Sequence, residues 1–279
     1  MGVIAGYYRD GGAYHSFVRA PDGTITALGD VGGGSTFTTA INTKGAITGY
    51  YWDQFQDGHG FLRKPDGKVV TFDVSGALAT LPVGINSGGA VAGGYFDSGH
   101  AGHGFVRDAN GTITQFDVPV GSILDHVAGI NDSNAVDGVY ETTADGHYHG
   151  FVRTSDGSIT AFDPPGSWFT IPTSMNNLGA IVGYWWDNQD NAHGFLRAPD
   201  GTITTIDEGS PTHLYGINDT GDITGVTGSA PCFVLTARGV IRTFSPKGAN
   251  PTPVGINSHR VIAGFLTVAG KFHGFVRSR

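Results

Sequence analysis

The chain is poor in the residues that usually announce a chemistry. One of its 279 residues is cysteine, Cys232, so it can form no internal disulfide and holds no paired-cysteine metal motif. Charged residues are only 14% of the chain, and 16 Lys plus Arg against 24 Asp plus Glu leave a net charge of -8. With no basic run to offset that charge, nucleic acid is not expected as a partner. Apolar runs such as Val3-Ile4-Ala5 or Ala90-Val91-Ala92 are short and broken by glycine. They fall far below the roughly 20 residues that cross a bilayer, so no membrane span is expected. No Gly-x-Ser-x-Gly elbow or phosphate loop occurs. The start, Met1-Gly2-Val3, has no charged region followed by an apolar one, so the expectation is a chain that is not secreted or one whose signal peptide has been removed.

Glycine, at 46 residues, and proline, at 13, are abundant, so turns must be frequent. With 39% hydrophobic and 11% aromatic residues the chain can still build a sizeable core. The dipeptide Ile-Asn, once Met-Asn, recurs at Asn42, Asn86, Asn131, Asn176, Asn218 and Asn257, at spacings of 44, 45, 45, 42 and 39. Each period carries four short segments rich in Ile, Val, Phe, Tyr and Thr, such as Leu81 to Asn86, Ala90 to Tyr95, His103 to Arg107 and Thr112 to Asp117. Bounded by Gly, Asn, Asp and Pro, they read as an inner, second, third and outer strand. Tight turns such as Asn86-Ser87-Gly88-Gly89 and Pro65-Asp66-Gly67 pair inner with second and third with outer. The prediction is all-β: one β-propeller domain over residues 1–279, made of four-stranded antiparallel blades from repeats of about 44 residues. Seven blades are favoured, with an irregular seam where the first repeat lacks its inner strand and the last its outer one; a six-bladed ring is the alternative.

The third strand opens on a triplet, His59-Gly60-Phe61, His103-Gly104-Phe105, His149-Gly150-Phe151, His193-Gly194-Phe195 and His273-Gly274-Phe275. This consensus resembles the His-Ala-Phe extracellular repeat family, with Gly in place of Ala, and Leu28-Gly29-Asp30-Val31-Gly32-Gly33 is similar to that family's Leu-Gly-rich stretch. The resemblance covers the whole chain and implies an extracellular or periplasmic repeat protein of no defined activity. The rhythm of Ile113-Thr114-Gln115-Phe116 and Pro82-Val83-Gly84-Ile85 is also similar to that of streptogramin-lyase-like propellers, without their metal-binding His and Glu signature.

Reiterated residues are expected to maintain the blade, and singular ones to carry function. Hairpin arithmetic sets His59 opposite Asp73, His103 opposite Asp117, His149 opposite Asp163 and His193 opposite Asp207, a ladder pair in four copies. Arg19, Arg63, Arg107, Arg153, Arg197 and Arg277 are expected to bridge backbone carbonyls and neighbouring blades, and the six Asn residues to fix turns. Both tight turns lie on one face, which leaves longer second-to-third loops and the blade links on the other. Trp52, Trp168, Trp185 and Trp186 fall there, with Asp53 and Asp187 beside them and Tyr215 on a neighbouring inner strand. Trp and Tyr beside Asp suit stacking on a sugar and bonding its hydroxyls, so one asymmetric site for a carbohydrate or other small polar ligand is expected near the central channel. The alternative is a lyase or hydrolase on the same face. His126 and His213 replace an apolar residue at the start of two inner strands and, with Glu141 or Asp187, could serve as acid and base or hold a divalent metal. In the aberrant sixth repeat Pro231-Cys232-Phe233-Val234-Leu235 replaces the triplet, and Cys232 reads as a buried structural thiol.

Overall fold

The computed structural model describes residues 2–209, 211–228 and 232–278. Its antiparallel ladders divide the strands into seven sheets. The first holds β1 (Ile4–Asp10), β2 (Ala13–Arg19) and β3 (Ile25–Ala27). The second holds β4 (Thr36–Ile41), β5 (Ile47–Trp52), β6 (Gly58–Arg63) and β7 (Val69–Phe72). The third runs through β8 (Ala79–Ile85), β9 (Val91–Phe96), β10 (Gly102–Arg107) and β11 (Ile113–Phe116). The fourth comprises β12 (Ser122–Ile130), β13 (Val136–Thr142), β14 (Tyr148–Arg153) and β15 (Ile159–Phe162). The fifth comprises β16 (Ser167–Met175), β17 (Ile181–Asp187), β18 (Ala192–Arg197) and β19 (Ile203–Ile206). The sixth has β20 (Thr212–Ile217), β21 (Ile223–Thr227), β22 (Cys232–Leu235) and β23 (Ile241–Phe244), and the last β24 (Ala249–Ile256), β25 (Ile262–Val268) and β26 (Lys271–Arg277). Single parallel bridges, Gly58 to Ala79 and Tyr148 to Phe169, join the second sheet to the third and the fourth to the fifth. The described residues contain no helix, hence none long and apolar enough to cross a membrane.

Each sheet packs on the next in the chain, β1 against β4, β5 against β8, and so on to β21 against β24. The triplet Phe is the core of each unit: Phe61, Phe105, Phe151, Phe195 and Phe233 are at most 1% exposed. Its ring lies over a glycine of the adjacent second strand. At Gly49 a Cβ would come within 2.0 Å of the Phe37 carbonyl and 2.9 Å of the Phe61 ring, so only glycine allows the approach. Neighbouring sheets are joined by two recurrent contacts. The outer-strand Phe lies under the Arg of the next sheet: Arg107 is 4.9 Å from the Phe72 centroid, Arg153 5.0 Å from Phe116, Arg197 5.0 Å from Phe162 and Arg277 4.4 Å from Phe244. The inner-turn Asn accepts two amides of its own turn at Oδ1 and donates Nδ2 onward, Asn42 to the Asn86 carbonyl at 2.9 Å, Asn86 to Asn131 at 3.0 Å, Asn176 to Asn218 at 3.1 Å and Asn218 to Asn257 at 2.9 Å. The expected turn role is thus only half of what these residues do.

One expectation is overturned. The second-to-third loops are not longer than the other turns. Residues 53–57 and 97–101 close as tightly as 42–46, with the Asp53 and Asp97 carboxylates each accepting two amides of their own turn. Gln56, His100 and Asp190 take the left-handed position, with φ of 67°, 63° and 60°, that glycine fills elsewhere, which hides the turn in the sequence. Room on this face comes instead from the links, the longest being 28–35, between β3 and β4.

Candidate functional site

Link 28–35 forms one wall of the larger cleft, an open space of about 690 Å³. Gly32, Gly33 and Gly34 bring bare backbone to it, and at Gly34 a Cβ would lie 1.8 Å from the Trp52 carbonyl, so the link can lie flat on β5 only as glycine. Tyr14, Phe37 and Trp52 also line the cleft, in an aromatic chain that runs through Tyr50 behind them. Tyr14 and Phe37 have centroids 4.7 Å apart, Phe37 stacks on Tyr50 at 5.0 Å, and Tyr50 meets Trp52 edge-on at 6.2 Å. Ser35, Asp53, Gln54 and Gln56 supply the polar groups of the lining. A smaller cleft of about 270 Å³ adjoins it across Trp52 and Gln56 and is bounded by Asp57, Leu78, Ala79, Phe96 and His100.

Asp53 is already engaged. One oxygen caps its turn and the other stands 3.6 Å from His59 Nε2, while His59 Nδ1 meets Asp73 at 3.0 Å. The bonds from the Asp57 and Phe55 amides hold its carboxyl below the usual range. Burial alone would discharge His59, but the two carboxylates outweigh it and raise its pKa. The arrangement recurs at Asp97–His103–Asp117 and Asp187–His193–Asp207. Each His also stacks on the second strand: His59 on Tyr51, His103 on Tyr95, His149 on Tyr140 and His193 on Trp185. His15, which faces Gly29 in register, reaches Asp30 instead at 2.8 Å. Repetition with fixed partners makes these groups struts of the sheet. His103→Ala is therefore expected to cost about 1 to 2 kcal/mol at pH 6. The bond to Asp117 raises the pKa of His103 in the folded state, so its contribution is full below the unfolded value of 6.5 and is lost as pH rises through the raised one. Urea denaturation at pH 6 and pH 9 checks both magnitude and sign.

The other candidate residues are spread over the fourth, fifth and sixth sheets. Trp168 and Trp186, 5.9 Å apart, form a second aromatic face with Phe169, and Trp168 Nε1 donates to the Asp187 carbonyl at 2.9 Å. Strand alternation turns Trp185 to the opposite side, where it is 8% exposed, stacked on His193, and its indole N–H finds no acceptor. Asp187 caps its turn through the Gln189 and Asn191 amides, and bonds from Asn191 press its pKa well below the ordinary range. Tyr215, at a bulge of β20, lies parallel to His213 at 6.3 Å, and His213 meets Tyr184 edge-on at 4.5 Å. Burial lowers the pKa of His213. His126 bonds the adjacent Asp125 at 2.6 Å, and Glu141 pairs in register with Ile123 and Tyr148. His126 on β12 and His213 on β20 stand in the fourth and sixth sheets, with the fifth between them in chain order. Among the described residues no group of three or more His, Cys, Asp and Glu side chains could hold a metal ion. Cys232 is fully buried, its thiol pushed up to about 11 by desolvation; Pro231 lies outside the described residues. Tyr14, Phe37, Gln54 and Gln56 do not stand out in the sequence, and the glycine-rich link that does stand out carries no sign there of lining a site.

No family model matches the sequence, so the His-Ala-Phe resemblance rests on the triplets and the Leu28–Gly33 stretch. No curated protein matches it either. Solved structures do. A streptogramin B lyase superposes with a TM-score of 0.67 at 15% identity over 98% of this chain and 89% of its own. Virginiamycin B lyase from Staphylococcus aureus gives 0.63 at 15% identity, over 99% and 98%. TolB from Acinetobacter baumannii gives 0.59 at 14% over 89% of this chain and 64% of its own. The chain thus shares an all-β, propeller-like fold with these proteins, and at such identity the likeness is one of fold alone.

Proposed function

We propose that the seven sheets are the blades of one ring over residues 1–279, and that this propeller binds a carbohydrate or another small polar ligand in the cleft beside Trp52. Ring closure is supported at the seam, where Gly2 lies so near Asn257 that a Cβ on it would stand 3.0 Å from Nδ2. The observation that carries the binding reading is the cleft's lining: Tyr14, Phe37 and Trp52 together with three glycines, two glutamines, a serine and an aspartate. Such a surface stacks on a sugar ring and bonds its hydroxyls. The one carboxylate in the larger cleft is held by its own turn and by His59, so no free acid and base face each other across it. The lyase or hydrolase alternative has the fold of the neighbouring structures behind it, but His126 and His213 line neither cleft.

A glycan array followed by calorimetry tests this. Trp52→Ala should weaken binding of the best glycan at least about tenfold while the protein stays folded, as for a stacking residue at the centre of a site. Trp186→Ala and His126→Ala should leave it unchanged. Loss through Trp186→Ala with Trp52→Ala silent would move the site to the second aromatic face, and turnover abolished by His126→Ala or His213→Ala would make the protein an enzyme.

A further inference from the structure

The smaller cleft differs in character from the larger one it adjoins. Trp52, Leu78, Ala79 and Phe96 make its lining mostly carbon, where glycine backbone and amide side chains dominate the other. Leu78 and Phe96 are large apolar side chains left open to water, at 36% and 39% exposure. Phe96 is the third sheet's counterpart of Trp52, since each ends a second strand, Trp52 opposite Gly58 and Phe96 opposite Gly102. Two successive sheets therefore present a ring at the same place, and both rings line this cleft; the fourth sheet breaks the series with Glu141 opposite Tyr148. The walls are fixed by backbone. The Leu78 amide donates to the Phe96 carbonyl at 2.8 Å, and the Leu78 carbonyl accepts the Gly58 amide at 3.2 Å. The Trp52 ring lies over Gly58, where a Cβ would stand 3.2 Å from its Cζ3 and 2.9 Å from the Ala79 Cβ. A group entering so preformed a space has little to order.

We propose, resting on the sugar reading of the larger cleft, that the smaller one is a subsite for an apolar group carried by the same ligand. The favoured ligand is then an amphiphilic glycoside, with its sugar beside Trp52 and an aryl or alkyl aglycone against Leu78, Ala79 and Phe96. Continuity across Trp52 and Gln56, which line both clefts, lets one molecule fill the two. The size fits a substituent: about 270 Å³ beside about 690 Å³, where a protein partner of standard kind covers about 800 Å² on each side. A second sugar fits less well, because hydroxyls set against these apolar side chains give up their bonds to water, and an aryl ring has none to lose.

The probes are matched methyl and phenyl glycosides of glucose, galactose, mannose, fucose and N-acetylglucosamine, with methyl maltoside, cellobioside and lactoside beside them, titrated by calorimetry. For a sugar that binds, the phenyl glycoside is expected to bind at least about fivefold tighter than the methyl one. Phe96→Ala and Leu78→Ala should each erase most of that gain and leave the methyl glycoside's affinity unchanged, whereas Trp52→Ala should weaken both. Both side chains are exposed, so both variants should keep the wild-type Tm. Equal affinity for the methyl and phenyl forms overturns the proposal. So does a phenyl gain that survives both variants, since the ring then lies elsewhere. A disaccharide that gains as much as the phenyl form and loses it in the same variants also overturns it, by making a second sugar the occupant. Methyl glycosides that bind through Trp52 with no phenyl gain sink the subsite and leave the larger cleft's reading standing; no Trp52-dependent binding of any glycoside sinks both.

Discussion

Asp137→Thr is expected to stabilise the protein by about 4 kcal/mol at pH 8.5 and by little at pH 4. Asp137 is fully buried on β13, and neither carboxylate oxygen has a hydrogen-bond partner. Desolvation pushes its pKa up to about 7; its own amide, His126 and the Gly129 backbone favour the charged form only in part. A rise from 3.8 to about 7 is roughly 3 units, or about 4 kcal/mol at 1.36 per unit. The sign follows from proton uptake: the folded state holds the proton more tightly, so stability is highest below the unfolded pKa and falls as pH rises from about 4 to 7. Other second strands carry Thr48, Ala92, Val182 and Thr224 at this register, and Thr48 Oγ1 donates to the Phe61 carbonyl at 2.9 Å. A threonine introduced on β13 would have the Phe151 carbonyl in the same place. Urea unfolding of both proteins across this pH range decides it. A pH-independent difference, or a less stable variant at pH 8.5, would show that Asp137 is ionised and solvated.

Arg260→Ala should show the opposite pH dependence, destabilising the protein near neutrality because it takes the guanidinium from a buried carboxylate. Asp222 is also buried, at 1% exposure, but it is fully served. Arg260 grips it with Nε at 2.6 Å and a second guanidinium nitrogen at 2.9 Å; Thr220 Oγ1 donates at 2.9 Å, and Asn218 Nδ2 and the Ala237 amide at 3.3 Å. Burial works against ionisation here too, yet these donors outweigh it and lower the pKa to about 2. Stability from this carboxylate is present above pH 3.8 and is lost as pH falls towards 2. The deficit of the variant should therefore shrink between pH 5 and pH 3. Unchanged stability of the variant at pH 7 would mean that the remaining donors alone satisfy the carboxylate. Two buried aspartates thus pull the stability profile in opposite directions, and the partners decide which way each pulls.

Spacing alone is enough to locate the strands and their hairpin register. The sum that pairs His59 with Asp73 is the one that sets Gly60 against Phe72 in the ladder. Contacts between sheets are not legible in detail, because the partner of Arg107 is a Phe in the preceding repeat and every repeat offers the same residues. The tight second-to-third turns escape a reading of the sequence because they use Asp caps and left-handed Gln56, His100 and Asp190 where glycine would show them. Trp185 and Trp186 are neighbours in sequence, yet strand alternation sends adjacent residues to opposite sides. Asp187, next along, looks ligand-facing by position, but one oxygen accepts the backbone amides of its own turn and the other the Asn191 side chain, beside His193.

The onward hydrogen bonds of Asn42, Asn86, Asn176 and Asn218 all run in one direction, to the inner turn that follows in the chain, and Asn131 points the same way to Met175 Sδ. Such a junction is head-to-tail, with a donor side and an acceptor side that any two repeats can present to each other. An in-frame duplication or deletion of one repeat therefore creates no new kind of joint; in the ring proposed above it changes only how many joints must fit around the axis. The number of blades is then a matter of curvature at the seam, and chain lengths within a lineage of such proteins should differ in steps of one repeat.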